Sequence, residues 1–509
     1  MFKRLWCVAP LILCTFFFSP AAPGAGGVVW QLNLTKTPPN CQLQSTHLVR
    51  DGKGQLVLEA DTRHLKSEWN SCLSIPAGLL KTGKDYTITV DYQVIDRSGP
   101  DNYFYAFVRS DRLDGGGSTF LFHQIKGGAG MLIRGCTRTV ISHFNLDWDW
   151  QIDPLASVGG ILKIGPGTSY FEMRFETAAP MDPKRWVTMN PLDEKLRVPG
   201  TGQEFGDFGP KKIDSLDAQT VRVWPSWPVP AKVGQLYLLR HYTFEKHAIV
   251  IGSNSHLSLQ YVTIFSFPGI GFIAGGDLHH LELLHCSITY PAGGRRCITT
   301  TADGFHVDQS QGFIRLEDCD FGYMGDDCVN IHDNIHSGVK RLDAHTLLAE
   351  NIVPWRSPYN PGDMVEIRNG DYSPAGFTGK VQTVKNDYKN NTVTLVFEQP
   401  LPGQIVSDAI LFNHRYGSRN CIIRNCYFHE NRARGVLCNT ADWLVEGNRF
   451  YHNQHSAMLL IADMGSSWSE GFGARNVIVR HNTFDSSNCL GVGEGATQKV
   501  VCGGNLIRP

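Results

Sequence analysis

Two stretches decide the fold: Leu283-Leu-His-Cys286-Ser-Ile288 and Leu316-Glu-Asp-Cys319-Asp-Phe321. In both, an apolar residue, two variable ones and a cysteine lead through a polar position to a second apolar residue. The hexad returns as Leu259-Gln-Tyr-Val262-Thr-Ile264, Ile423-Arg-Asn-Cys426-Tyr-Phe428, Val445-Glu-Gly-Asn448-Arg-Phe450 and Val479-Arg-His-Asn482-Thr-Phe484, with an earlier copy at Ile141-Ser-His-Phe144-Asn-Leu146. Cys426 to Asn448 is a step of 22 residues and Asn448 to Asn482 a step of 34, inside the range of solenoid repeats. A second short strand belongs to several copies: Phe305-His306-Val307, Val329-Asn330-Ile331 or Val436-Leu437-Cys438. No helical period competes. The expectation is an all-β chain, a right-handed parallel β-helix in which each coil buries its apolar face only against its neighbours. A leucine-rich horseshoe would need spaced leucines and helical legs, which are missing.

Two stretches lose the repeat. Residues 157–243 and 341–410 read as antiparallel strands with Pro- and Gly-rich turns. They share a phrase, Val233-Gly-Gln-Leu-Tyr-Leu-Leu-Arg240 and Pro361-Gly-Asp-Met-Val-Glu-Ile-Arg368, and are expected to be two small β-barrel insertions of related design. The helix would then comprise a start at 113–156, catalytic coils at 244–340 and C-terminal coils at 411–509. Residues 26–112 alternate, as in Tyr86-Thr-Ile-Thr-Val-Asp-Tyr-Gln-Val94, and are expected to form a β-sandwich-like module, a glycan-binding unit or a structural cap.

Composition fits that plan. With 52 Gly and 11% aromatic residues but only 19% charged ones, the 509-residue chain leans towards a large β protein that handles sugars. A net charge of −1 supplies no field to gather phosphates, so nucleic acid is not an expected partner. Residues 1–25 place Lys3-Arg4 before an apolar run from Leu5 to Phe18 and then small residues, the order of a cleaved secretory signal. No later segment is long and apolar enough to span a bilayer. A secreted or periplasmic protein is expected.

Cysteine usage separates into two kinds. Cys286, Cys319 and Cys426 share one slot of the repeat and read as stacked, buried thiols. Cys41 with Cys72, and Cys489 with Cys502, are the more plausible bridges in an exported chain. No pair has the short spacing of a zinc site.

The densest polar cluster lies on adjacent coils: Thr299-Thr-Thr-Ala-Asp303-Gly-Phe-His306-Val-Asp308 and Gly325-Asp326-Asp327-Cys-Val-Asn330-Ile-His332. Aligning Phe305-His306-Val307 with Val329-Asn330-Ile331 sets Asp303 one coil from Asp327, about 4.7–4.9 Å along the stack. Carboxylates this close do not all ionise easily, so at least one should hold its proton to higher pH. A protonated acid beside an ionised base is what glycosidic-bond hydrolysis requires. The plainer alternatives are aspartates capping turns and a calcium site. His306, Asn330, His332 and Arg296 flank the cluster as candidate ligands of sugar hydroxyls. Trp468 and Glu470, in Gly465-Ser-Ser-Trp-Ser-Glu-Gly471, supply a candidate aromatic face and carboxylate. Trp148 and Trp150 are further candidates, with buried packing the commoner fate of such rings.

The segments Thr300-Thr-Ala-Asp303-Gly-Phe-His306 and Met324-Gly-Asp-Asp327-Cys-Val-Asn-Ile-His332 resemble the signature of glycoside hydrolase family 110. The likeness extends to Leu113-Asp-Gly-Gly-Gly-Ser-Thr-Phe-Leu-Phe-His123, Asn145-Leu-Asp-Trp148-Asp and Phe267-Pro-Gly-Ile-Gly-Phe272. It implies an inverting exo-glycosidase that removes terminal α-1,3-linked galactose without a metal or other cofactor. Asp326 would be the general acid, with Asp303 and Asp327 activating water. Gly304 departs from the pattern, standing where many members carry a small side chain. Other readings are a polygalacturonase-like hydrolase, which would want a Gly-His-Gly and an Arg-x-Lys that are absent, a polysaccharide lyase or epimerase, and a non-catalytic glycan-binding β-helix.

Overall fold

In the computed structural model the described residues are 112–508, apart from 127, 196, 200–208, 228–230, 292, 295, 351–358, 465–468, 472, 486–487 and 494–497, together with five strands before residue 92. The chain divides into two units, Met1–Asp114 and Gly115–Pro509. In the first, Thr15–Pro20 lies antiparallel between Trp30–Gln31 and Tyr86–Asp91, and Thr46–Arg50 pairs with Leu56–Ala60. Thr15–Pro20 falls inside the stretch expected to be a signal peptide. Cys41 and Cys72 lie outside the described residues.

The second unit is a parallel β-helix. One sheet stacks eight parallel strands in the order Ala129–Arg134, His247–Gly252, Phe272–Gly275, Phe305–Asp308, Val329–His332, Val436–Cys438, Ser456–Leu460 and Asn488–Val492. The hexads build the other rows. In each, a first strand such as His279–Leu284 or Ile314–Glu317 is followed after a bend by a short second one, Ser287–Ile288 or Asp320–Gly322. The bend is made by the residue before the cysteine or asparagine slot, which takes a left-handed backbone in coil after coil: His285 (φ 53°), Asp318 (54°), Asn425 (54°), Gly447 (69°) and His481 (56°). A side chain at such φ costs about 1–2 kcal/mol, and the slot residue offsets it by pairing the main chain exposed at the corner. Asn448 Oδ1 accepts from the Cys426 amide at 2.8 Å while its Nδ2 donates to the Ile423 carbonyl at 2.9 Å. Asn482 does the same for Asn448 and Val445. Cys286 and Cys319 donate more weakly to Leu259 and Leu283 carbonyls.

The apolar positions face inward and stack. Phe321, Phe428, Phe450 and Phe484 form a column with successive ring centroids 6.1, 5.4 and 5.1 Å apart. Cys286, Cys319 and Cys426 are buried, unbridged thiols, as their shared slot suggested. The expected Cys489–Cys502 bridge is absent: Cys502 is an exposed free thiol.

Two antiparallel sheets interrupt the helix. Seven strands between Ala156 and Arg240 enclose a core of Phe171, Met173, Phe175, Trp186 and Tyr237. Six strands between Lys340 and Asn413 enclose Leu347, Val365, Ile367, Val393 and Leu395. Among the described residues only two 3-10 turns, Pro166–Thr168 and Pro183–Arg185, are helical, and no helix is long and apolar enough to cross a membrane.

Candidate active site

Asp303 and Asp327 sit two residues before the strands Phe305–Asp308 and Val329–His332, which pair in register Phe305 to Val329. The next strand pairs Val329 with Val436. One slot on three successive coils therefore holds Asp303, Asp327 and Arg434. The turns that present these groups are closely nested. A Cβ on Gly304 would come within 2.7 Å of the Cys328 carbonyl, so the glycine that departs from the family pattern is needed for close approach of the coils. A Cβ on Gly325 would come within 2.4 Å of the Thr301 carbonyl.

One oxygen each from Asp303, Asp326 and Asp327 lies within 4.8 Å of the others. Each carboxylate has its own cation. Asp327 accepts from the Arg434 amide at 2.8 Å and guanidinium at 2.7 Å. Asp326 accepts from Arg432 at 3.0 Å. Asp303 binds His306 Nδ1 at 2.6 Å and accepts the Asp327 amide at 3.2 Å. Burial pushes the Asp326 carboxyl up, reinforced by Asp303 and opposed by Arg432, Arg434 and Arg240. Burial likewise raises Asp327, against the pull of Arg434. His306 loses proton affinity to burial but gains more from its hydrogen bond to Asp303, ending at about 9. It is an imidazolium at neutral pH. The side chain of Asp326 is 29% exposed, against 7% for Asp303 and 2% for Asp327, so the reachable acid is Asp326.

A polar chain leads away from Asp303. His306 Nε2 meets His332 Nε2 at 2.9 Å, His332 lies 3.5 Å from Glu470, and Asn330 donates to Glu470 at 3.1 Å. Two buried atoms here lack protein partners, Asn330 Oδ1 and His332 Nδ1, which leaves hydrogen-bonding capacity for a polar ligand. His306, Asn330, His332 and Glu470 are thus brought together beside the trio. Arg296 is not among them: it pairs with Asp147 at 2.5 and 3.0 Å, bonds Ser266 at 3.2 Å and lies over the Trp150 ring. Trp148 is fully buried, with its Nε1 donating to the Asp153 carbonyl. Trp468 lies outside the described residues.

Three arginines of the candidate site escaped the sequence reading. Arg434 was available to it: setting Val436 beneath Val329 puts Arg434 in the Asp327 slot. Arg432 follows from the same alignment. Arg240 had no such signal, because it arrives from the last strand of the first insertion. It is buried, donating to the Thr301 carbonyl at 2.7 Å and the Gly325 carbonyl at 3.0 Å, and so ties together the two turns that carry the acids.

No family model matches the chain. It is 26% identical to an α-1,3-galactosidase B of Akkermansia muciniphila over 86% of its own length and 56% of the relative's. It is 24% identical to an α-1,3-galactosidase A of Shewanella woodyi over 74% of its length and 64% of the relative's. A Bacteroides thetaiotaomicron α-1,3-galactosidase B is 22% identical, with coverages of 73% and 62%. The chain thus spans a little over half to under two thirds of these relatives. Among solved structures, a glycoside hydrolase matches with 10% identity and a TM-score of 0.29, covering 77% of this chain and 88% of that one. The A-module of an Azotobacter vinelandii mannuronan C-5 epimerase matches with 11% identity and a TM-score of 0.26, covering 78% of each.

The family assignment made from the motifs is corrected by these findings. No family model matches, the sequence likeness stays low and partial, and the all-β scaffold, without an α-helix among its described residues, excludes an α/α-toroid. Membership in glycoside hydrolase family 110, with its terminal α-1,3-galactosidase activity, is replaced by a coarser statement: the fold is an all-β parallel β-helix interrupted by two antiparallel insertions.

Proposed function

We propose that the chain is a glycoside hydrolase that cleaves bonds between uncharged sugars at the Asp303–Asp326–Asp327 cluster. One observation carries the reading: of three carboxylates gathered from adjacent coils, only Asp326 is both accessible and pushed towards its protonated form. In the proposed chemistry Asp326 is the general acid, donating its proton to the departing glycosidic oxygen. Asp303, held by His306 and the Asp327 amide, is the base. Asp327, buried and bonded twice by Arg434, positions the other two. His332, Asn330 and Glu470 offer donors and acceptors to sugar hydroxyls. Sequence similarity to glycoside hydrolases supports the reaction class.

Charge balance favours a neutral substrate. Arg432 and Arg434 engage the trio, Arg240 engages main-chain carbonyls and Arg296 engages Asp147. A uronate would meet cations that already hold carboxylates. Export belongs to the proposal and rests on the basic, apolar, small-residue order of residues 1–25.

The test is a panel of neutral α- and β-linked oligosaccharides beside oligogalacturonides, with NMR of the freshly released sugar to read the anomer. Release of a neutral sugar, lost in Asp326→Asn, is expected. Cleavage of uronides alone would favour a polygalacturonase-like enzyme, and binding without cleavage a glycan-binding β-helix.

A further inference from the structure

We propose that His256, His279 and His280 form a binding site for a divalent transition-metal ion of the zinc class, on a different row of strands from the carboxylate trio. His279 and His280 open the strand His279–Leu284, which pairs with Ser255–Ile264 in register Ser255 to His279 and Leu257 to Leu281. That register sets His256 beside His280. Consecutive residues of a regular strand point to opposite faces. His280 has φ 55°, which breaks the alternation, and His279 Nδ1 and His280 Nδ1 meet at 2.8 Å. His256 carries the same left-handed backbone, also at φ 55°. One ring nitrogen from each of the three lies within 4.8 Å of the others.

Ring stacking explains only part of this arrangement. His256, His280 and Phe313 form a ladder with centroids 4.3 and 4.4 Å apart and planes within 13° and 8° of parallel. His279 stands outside that ladder, edge-on to His256 at 86° and to His280 at 81°, and presents its nitrogen to the pair. Nitrogens bound to one zinc at about 2.0–2.1 Å in a tetrahedron sit about 3.3 Å apart; the 2.8 Å contact of His279 and His280 opens slightly to admit the ion, and His256, stacked face to face on His280, turns out of the ladder to bring its nitrogen onto it. Three imidazoles leave a fourth position for water. Glu282, the nearby carboxylate, accepts instead from Arg315 at 3.2 Å.

The full chain, stripped with chelator and dialysed, is titrated with zinc chloride by calorimetry, with nickel and copper in parallel. One equivalent of zinc is expected. His279→Ala and His280→Phe should each weaken it on the order of tenfold or more, since even outer partners of a ligand change metal affinity by 10–100-fold. His280→Phe keeps the ring ladder and removes only the nitrogens. Both positions are half-buried on a row of strands other than the one that follows the trio, and glycan hydrolysis should be unchanged in both variants. Absence of stoichiometric binding would overturn the site. So would zinc binding that survives both variants, or that is lost instead in His332→Ala or Asp326→Asn, which would move the ion to the carboxylate cluster.

Discussion

The asparagine corner and the carboxylate cluster use the same stacking to opposite ends. At the corner, Asn448 and Asn482 repeat one residue type on successive coils, and each amide closes the hydrogen bonds of the one before it. Like stacks on like because an amide both donates and accepts. In the cluster, the slot holding Asp303, Asp327 and Arg434 also runs along the stack, but a carboxylate only accepts, so repetition alone would leave charge against charge. The sequence changes there to a cation one coil later. A solenoid gains stability where its ladder repeats, and reactivity where the ladder changes chemistry.

The contrast is broken most severely at the acid. Asp326→Asn removes the exchangeable proton but keeps the shape and the hydrogen bond from Arg432. Activity on the hydrolysed glycan should fall by about 10²–10⁴-fold, with little change in thermal midpoint, read by initial rates and calorimetry. A fall in stability matching the fall in rate would place Asp326 in the scaffold instead.

Arg434→Met removes the cation from the slot and strands the buried Asp327 carboxylate. Removing one member of a buried pair costs about 3–5 kcal/mol, to be read by urea denaturation. A double variant, Arg434→Met with Asp327→Asn, should recover part of that loss. In the amide ladder, Asn482→Ala orphans the Asn448 amide and the Val445 carbonyl, at about 1–3 kcal/mol. Catalysis should survive, since no acid is touched.

What the sequence could carry follows the same division. The hexad announced the helix because stacking demands the same kind of residue at the same slot; Cys286, Cys319 and Cys426 are legible for that reason. The clustering of Asp303, Asp326 and Asp327 was legible because the strands that follow them align. Arg434 was missed because a residue unlike its neighbours looks like an end of the pattern, although the alignment of Val436 with Val329 reaches it. Arg240 and the Asp147 partner of Arg296 were not legible at all. Both depend on segments separated in sequence by an insertion or by many coils, and no period relates them.

The subtlest effect is on proton affinity. Arg432 holds the Asp326 carboxyl down against burial and Asp303. In Arg432→Gln that opposition is lost, so the acid keeps its proton to higher pH. A general acid works below its pKa, and the alkaline limb of the pH–rate profile should therefore move upward, on the order of one pH unit. His306 works in the other direction on stability. Its folded value of about 9 stands above the ordinary 6.5, so the stabilisation it contributes is complete below pH 6.5 and is lost as pH rises to 9. Asp303→Asn removes the partner that sustains the shift, and this part of the alkaline loss of stability should disappear. The two variants separate the roles: Arg432→Gln moves the rate profile upward and, by linkage, adds a loss of stability as pH rises through the higher Asp326 value, whereas Asp303→Asn removes the His306 part of the alkaline loss together with the base. If Arg432→Gln moved neither limb, Arg432 would be a packing residue, and the cation of that pair would have no part in setting the acid.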